Sequence, residues 1–221
     1  MQILFVAVMV YKSTLIFLII LYVSQPPFPY ARSHFLFPSM AIHYDPFTTE
    51  YTVPTHGDVI IRAVYTNVFA SADAWIDRIE RTLAASKEKV VGADVEFTPR
   101  GYRQRAAVLQ LCVGQDCLVY HVVCSADGVS SKFSQFLRNR QYKFASFDIS
   151  SDVVMLSRSE HILSIFNHID IQRIRRDPDL DKTGKQGMKD VAGALIDKSH
   201  KEMKGGITNA DHQLWDKAPL S

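Results

Sequence analysis

The chain has 221 residues, 47% of them hydrophobic and 22% charged, with a net charge of +2. These values exclude global disorder and a fibrous fold, and a single long apolar run excludes a polytopic membrane protein. Residues 1–39 carry Lys12, Arg32 and no acid, which leaves 23 basic and 23 acidic residues in 40–221, so any nucleic-acid contact must come from a local basic face rather than a global pull.

The chain divides into a hydrophobic extension, residues 1–39, and a domain, residues 40–221. Positions 3–23 (ILFVAVMVYKSTLIFLIILYV) hold one charge, Lys12, and are long enough to cross a bilayer as a helix. The following QPPFPY breaks a helix. One reading is a signal anchor or uncleaved signal peptide, which would associate the chain with a membrane or organelle. The run lacks a basic n-region and is long for cleavage, and it is not the Arg-rich amphipathic text of a transit peptide. The other reading is an extension upstream of a domain that starts at Met40 (MAIHYDPFTTEYTV), which would place the protein in nucleus or cytoplasm. Both stay open.

Residues 58–66 predict a strand, rich in β-branched residues. Residues 71–84 predict a helix with Ser71 as N-cap and Trp75, Ile76, Ile79 and Leu83 on one face. Strands follow at 89–97, 106–113 and 117–123, the last two joined as a hairpin by a short polar link. A basic turn, 98–105, separates the first two. Residues 130–139 predict a helix with Phe133, Phe136 and Leu137 inward. A strand at 142–149 leads to a helix from 151, capped by Ser150 or Ser151, then a short strand ending in HIDI within 162–171. A last helix is predicted at 187–198, before a polar tail. Antiparallel strands first, then strands alternating with helices, predict an α/β domain with a mixed central sheet.

Three cysteines, Cys112, Cys117 and Cys124, fall in apolar strand text. An odd count makes no disulfide framework, and no second Cys/His pair stands at zinc spacing, so buried reduced thiols are expected. Among the histidines, His121 reads as a satisfied core residue, and His161, His168, His200 and His212 lack metal-ligand spacing.

Asp94 and Glu96 stand at i and i+2 in an otherwise apolar strand, so their side chains share a face. Two carboxylates that close repel, and one takes up a proton unless a cation neutralises both. Hard oxygen ligands suit Mg²⁺ or Mn²⁺. The alternative is a pair of exposed acids at a strand end.

The stretch Gly92, Asp94, Glu96, then Leu109, Gln110 and Leu111, resembles the first motif of the DEDD family of 3′–5′ exonucleases, most closely the plant Werner-type, RNase D-like domains. FASFDISSDVVML resembles the second motif, with Asp152 opening a helix and Leu156 four residues on. GMKDVAGALI and WDKAPLS resemble the closing region. The resemblance spans about residues 50–221. It implies an RNase H-like fold, metal ligation by Asp94, Glu96 and Asp152, and hydrolysis of the terminal phosphodiester by two metal ions. Members carry glycines before the second-motif Asp, where this chain has Ser146, Asp148 and Ser151. They also continue into a helix with a Tyr-x-x-x-Asp motif, where this sequence stops at Ser221. The resemblance therefore implies a degenerate exonuclease domain that lacks its C-terminal helix. It would bind metal weakly and act through self-association as a homodimer or through a related exonuclease-fold partner. The alternative is an active enzyme on single-stranded or recessed 3′ ends. Arg100, Arg103 and Arg105 after the first motif, and Arg138, Arg140 and Lys143 near the second, are the candidate phosphate contacts. Arg173, Arg175 and Arg176 form a third basic cluster, largely cancelled by Asp177, Asp179 and Asp181.

Overall fold

The computed structural model describes residues 6–11, 14–19, 45–54, 60–101, 103–125, 128–171 and 215–217. The helix expected at 187–198 and the basic cluster at 173–176 lie outside the described residues.

The first described element corrects an expectation. Within 3–23 the backbone is an antiparallel hairpin, β1 (Val6–Tyr11) and β2 (Thr14–Ile19), with Tyr11 opposite Thr14. β-branched and aromatic residues fill this run, and such side chains fit a pleated strand as well as a helix. No described helix is long and apolar enough to cross a membrane.

The central sheet has seven strands. They are β3 (Thr48–Pro54), β4 (Ile60–Thr66), β5 (Val90–Phe97), β6 (Ala106–Val113), β7 (Asp116–Tyr120), β8 (Lys143–Ser146) and β9 (His168–Asp170), in the order β3-β4-β7-β6-β5-β8-β9. β6 is antiparallel to both β5 and β7, whereas β8 is parallel to β5 and β9 parallel to β8. The sheet is thus mixed and helix-flanked, the α/β architecture that the RNase H-like resemblance implied. β3 pairs antiparallel with β4 at one edge; its polar, alternating text TTEYTVP had not suggested a strand. β2 lies against β5 and β6.

Every residue of β6 is buried, as a continuous apolar run in the middle of a two-sided sheet requires. β6 and β7 are joined by Gly114 and Gln115, and Gly114 takes φ +58°, which favours a residue without Cβ. The strand expected at 117–123 ends at Tyr120, and the chain then makes a short 3-10 turn over Val122–Cys124.

Helices α1 (Phe69–Ala85), α2 (Ser131–Arg138) and α3 (Ile149–Ser157) supply the second layer. Trp75, Ile76, Ile79 and Leu83 of α1 pack with Phe133, Phe136 and Leu137 of α2, and with Val91, Ala93, Val95, Leu109 and Leu111 of the sheet. Ser71 does not cap α1: Val68 holds that position, and the Ser71 hydroxyl bonds Thr48 instead. Ser130 does cap α2, its Oγ accepting from the Phe133 N–H at 2.9 Å and donating to Asp73. The cap position of α3 is Asp148, not Ser150 or Ser151.

The cysteines also differ from expectation. Cys112 and Cys117 face each other across the β6–β7 hairpin and are joined in a disulfide, while Cys124 is a buried thiol outside that disulfide. The hairpin register places their Cα atoms 4.2 Å apart, a proximity that a count of three cysteines could not reveal.

Candidate functional site: acids beyond the end of strand β8

Gly92 of β5 pairs with Ala145 of β8, and β8 ends one residue later at Ser146. β5 runs on, so Asp94 projects past the end of its neighbour. A notch therefore opens between the two strands at their carboxyl ends. The chain order switches sides there, from β6 on one flank of β5 to β8 on the other, and in open α/β sheets such points host ligands.

The chain leaves β8 through Asp148, which sits in the left-handed region at φ 62°. That conformation costs a residue with a Cβ about 1–2 kcal/mol, less for Asp, whose short side chain bonds locally. Here the Asp148 carboxylate accepts from the Ser151 hydroxyl, and its backbone N–H donates to Asp170 of β9 at 3.3 Å. The turn starts α3 over the notch, and its first turn carries Asp152.

Asp152 is buried, with 6% of its surface exposed, and Oδ2 accepts from the Ser146 hydroxyl at 2.8 Å. Its carboxyl is pushed up to about 8, first by burial and next by the charge of Asp94; the Ser146 bond works against this, and Asp148 and Asp170 add to it. Asp94 and Asp152, 58 positions apart in sequence, are thus electrostatic neighbours. Glu96 is half-buried on the same face of β5 as Asp94. Gln110 lies opposite Asp94 on β6 and its Nε2 donates to Asp94 Oδ2 at 3.4 Å, while its buried Oε1 has no hydrogen-bond partner among the described residues.

The donor set is all hard oxygen, which matches a divalent cation, and an orphaned buried carbonyl beside a carboxylate is the kind of atom such an ion satisfies. Acids gather around Asp152, but among the described residues no group of three or more His, Cys, Asp or Glu is arranged to hold a metal. Asp148 and Asp170 were not singled out in the sequence. Their place beside Asp152 comes from the parallel pairing of β8 with β9, which sets Ser146 opposite Asp170.

The two basic clusters separate. Arg100, Arg103 and Arg105 lie in the turn between β5 and β6, at the acid end of β5. Arg105 pairs with Glu160 at 3.2 Å, and Arg100 and Arg103 are exposed. Arg138, Arg140 and Lys143 lie instead before and at the start of β8, the end remote from Asp152, and Lys143 pairs with Glu88 at 3.3 Å. Nearness to the second motif in sequence misplaced them, because a strand separates the two.

His121 is the satisfied core residue expected. Its Nε2 lies 2.9 Å from the Trp215 carbonyl, which can only accept, so Nε2 carries the proton. Nδ1 then accepts from the Tyr65 hydroxyl at 3.0 Å. Burial lowers its pKa to about 4, against a smaller raising effect of the Trp215 bond.

No protein-family profile matches the sequence, and no curated protein matches it. Solved structures do. The described fold is similar to an EXD2 exonuclease domain from crystals soaked in Mg and GMP, with 15% identity over 60% of this chain and 68% of that one, and a TM-score of 0.45. It is similar to the Aedes aegypti Nibbler EXO domain, at 12% identity over 71% and 76%, TM-score 0.49. It is similar to Escherichia coli RNase D, an exoribonuclease involved in structured RNA processing, at 17% identity over 70% of this chain and 38% of that one, TM-score 0.43. The fold resembles that of DEDD 3′–5′ exonuclease domains.

Proposed function

We propose that the chain is a degenerate 3′–5′ exonuclease-fold protein that binds a divalent cation weakly, turns over phosphodiesters poorly, and acts chiefly through binding contacts. The observation that carries this reading is the notch: Asp94 and Asp152 are electrostatic neighbours beyond the end of β8, with Asp148 and Asp170 beside Asp152, yet no three acids among the described residues are arranged to hold a metal ion. Asp94 and Asp152 would hold one Mg²⁺ or Mn²⁺, with Glu96 beside them. When bound, the metal would neutralise the paired acids and acidify a coordinated water. The chain's own residues supply the rest. Gln110 aims the Asp94 carboxylate, Ser146 fixes one oxygen of Asp152, and Arg100 and Arg103 present positive charge at the same end of the sheet. Two-metal hydrolysis needs both ions fixed about 3.5–4 Å apart, and a misplacement of one group by ~1 Å can cost ~10²-fold in rate.

The test combines binding and turnover. Mn²⁺ titration by calorimetry should show a single weak site that Asp94→Ala abolishes. Incubation with 3′-recessed DNA or single-stranded RNA in Mg²⁺ or Mn²⁺ should give trimming at or near background. Processive trimming that Asp94→Ala removes would establish the active enzyme instead. That second reading is favoured by the same convergence of Asp94 and Asp152, which a protein free of the metal chemistry would have no need to keep buried.

A further inference from the structure

Phe166 is 49% exposed, in the segment that leads into β9. Two guanidinium groups lie over its ring, Arg138 at 5.1 Å and Arg140 at 5.6 Å from the centroid. Both arginines are exposed, and neither makes an ion pair among the described residues. Two like charges held against one ring repel each other, and the electron-rich face offsets that only in part. An anion between or beside them would complete the arrangement.

The base of this platform is fixed. The Phe144 N–H donates to the Asn167 carbonyl at 2.9 Å, and the Asn167 side chain donates to the Arg140 carbonyl at 3.1 Å. The three residues thus stand at the end of α2, in the turn that follows it and in the segment before β9, with the last two tied by backbone-anchored bonds through Asn167 to β8, so stacking there costs less ordering entropy. An exposed aromatic ring with planar guanidinium groups is the chemistry that takes a nucleobase by stacking and the adjoining phosphate by charge-assisted hydrogen bonds. The position is at the start of β8, one strand length from the notch.

We propose that Phe166, Arg138 and Arg140 form a docking platform for single-stranded nucleic acid, separate from the acids beyond β8. This rests on the nucleic-acid reading of the fold. The full chain is titrated, in EDTA so that turnover plays no part, into 5′-labelled single-stranded 12-mers of RNA and DNA and into an abasic 12-mer, with fluorescence anisotropy as readout. Phe166→Ala should weaken binding to the base-bearing strands ~5- to 150-fold, the range for losing one stacked base, with little change for the abasic strand. Phe166→Leu, which keeps an apolar side chain, should behave like Phe166→Ala. Arg138→Gln with Arg140→Gln should weaken all three probes and reduce the slope of log K against log salt by ~1.4, the value for two single-strand phosphate contacts. Unchanged far-ultraviolet circular dichroism shows that each variant is folded. Binding by the wild-type chain that these variants leave intact overturns the platform alone. No binding by the wild-type chain overturns the nucleic-acid reading with it. A shift from dimer to monomer in Phe166→Ala by light scattering, with nucleic-acid affinity unchanged, makes the surface a protein interface and overturns the proposal.

Discussion

At the scale of single residues, two positions carry most of the local strain and chemistry. Asp148 occupies the left-handed region where glycine is at ease. Its bonds to Ser151 and Asp170 offset part of the cost. Asp148→Gly should stabilise the chain by up to ~1 kcal/mol, because relief of the Cβ clash outweighs the lost side-chain bond; urea denaturation checks this. His121 gives a pH dependence whose sign is fixed. Its folded pKa, about 4, lies below its unfolded value, 6.5. The unfolded chain therefore takes up a proton between those values that the folded chain refuses. The stabilisation is complete above pH 6.5 and is lost as pH falls toward 4. The His121 contribution to the unfolding free energy should drop by ~2 kcal/mol from pH 7.5 to 5, read as the difference between the wild-type chain and His121→Asn, because Asp152, raised to about 8, contributes with the opposite sign over the same window. Gly128 offers a third check: at φ +79° with the His161 ring 3.1 Å from any added Cβ, Gly128→Ala should destabilise by at least ~1 kcal/mol.

Elements show which sequence signals can be trusted. α2 was legible in its span and its three inward residues, because Phe133, Phe136 and Leu137 state period and face together; its Ser130 cap emerges only from the structure. Ser130→Ala should cost ~1 kcal/mol, more if the Asp73 bond is lost with it; thermal denaturation reads the difference. β5 and β6 were equally legible, since an apolar run between turn residues allows little else. β3 was not: half-exposed edge strands carry polar residues, and TTEYTVP shows only Tyr51 and Val53 on its inner face. The hairpin β1–β2 was hidden for the opposite reason, since a run apolar almost throughout has no period to distinguish strand from helix. The disulfide is a property of register, which spacing alone does not give. Thiol titration of the denatured, unreduced chain should find one thiol, Cys124, and Cys112→Ser with Cys117→Ser should lower stability by about 2 kcal/mol, the loop-entropy value for so short a separation.

For the molecule as a whole, the acid pair was legible only as two separate motifs. Asp94 and Glu96 stood out because charges are rare in buried strands, and Asp152 because it opens a helix after one. That Asp94 and Asp152 are electrostatic neighbours depends on β8 lying parallel beside β5, a pairing no local pattern encodes. The split of the basic residues between the two ends of the sheet is likewise a fact of topology. The hairpin belongs to this scale too. Because β2 lies against β5 and β6, a chain starting at Met40 should bind more of an apolar dye than the full chain, and it should unfold at lower urea. Equal dye binding would mean that the hairpin covers nothing.

The notch exists because β8 has only four residues beside a β5 that continues beyond it. Its depth is therefore a matter of chain length more than of side-chain chemistry. Adding two residues at the end of β8 would preserve the alternation of its faces, yet it would carry backbone into the gap and push the start of α3 outward by nearly 7 Å. Asp94 would then face a paired strand instead of Asp152. Insertions and deletions between Phe144 and Asp148 should be tolerated far less than point substitutions there, and a library scored for folding and for Mn²⁺ binding would show the second property fail first.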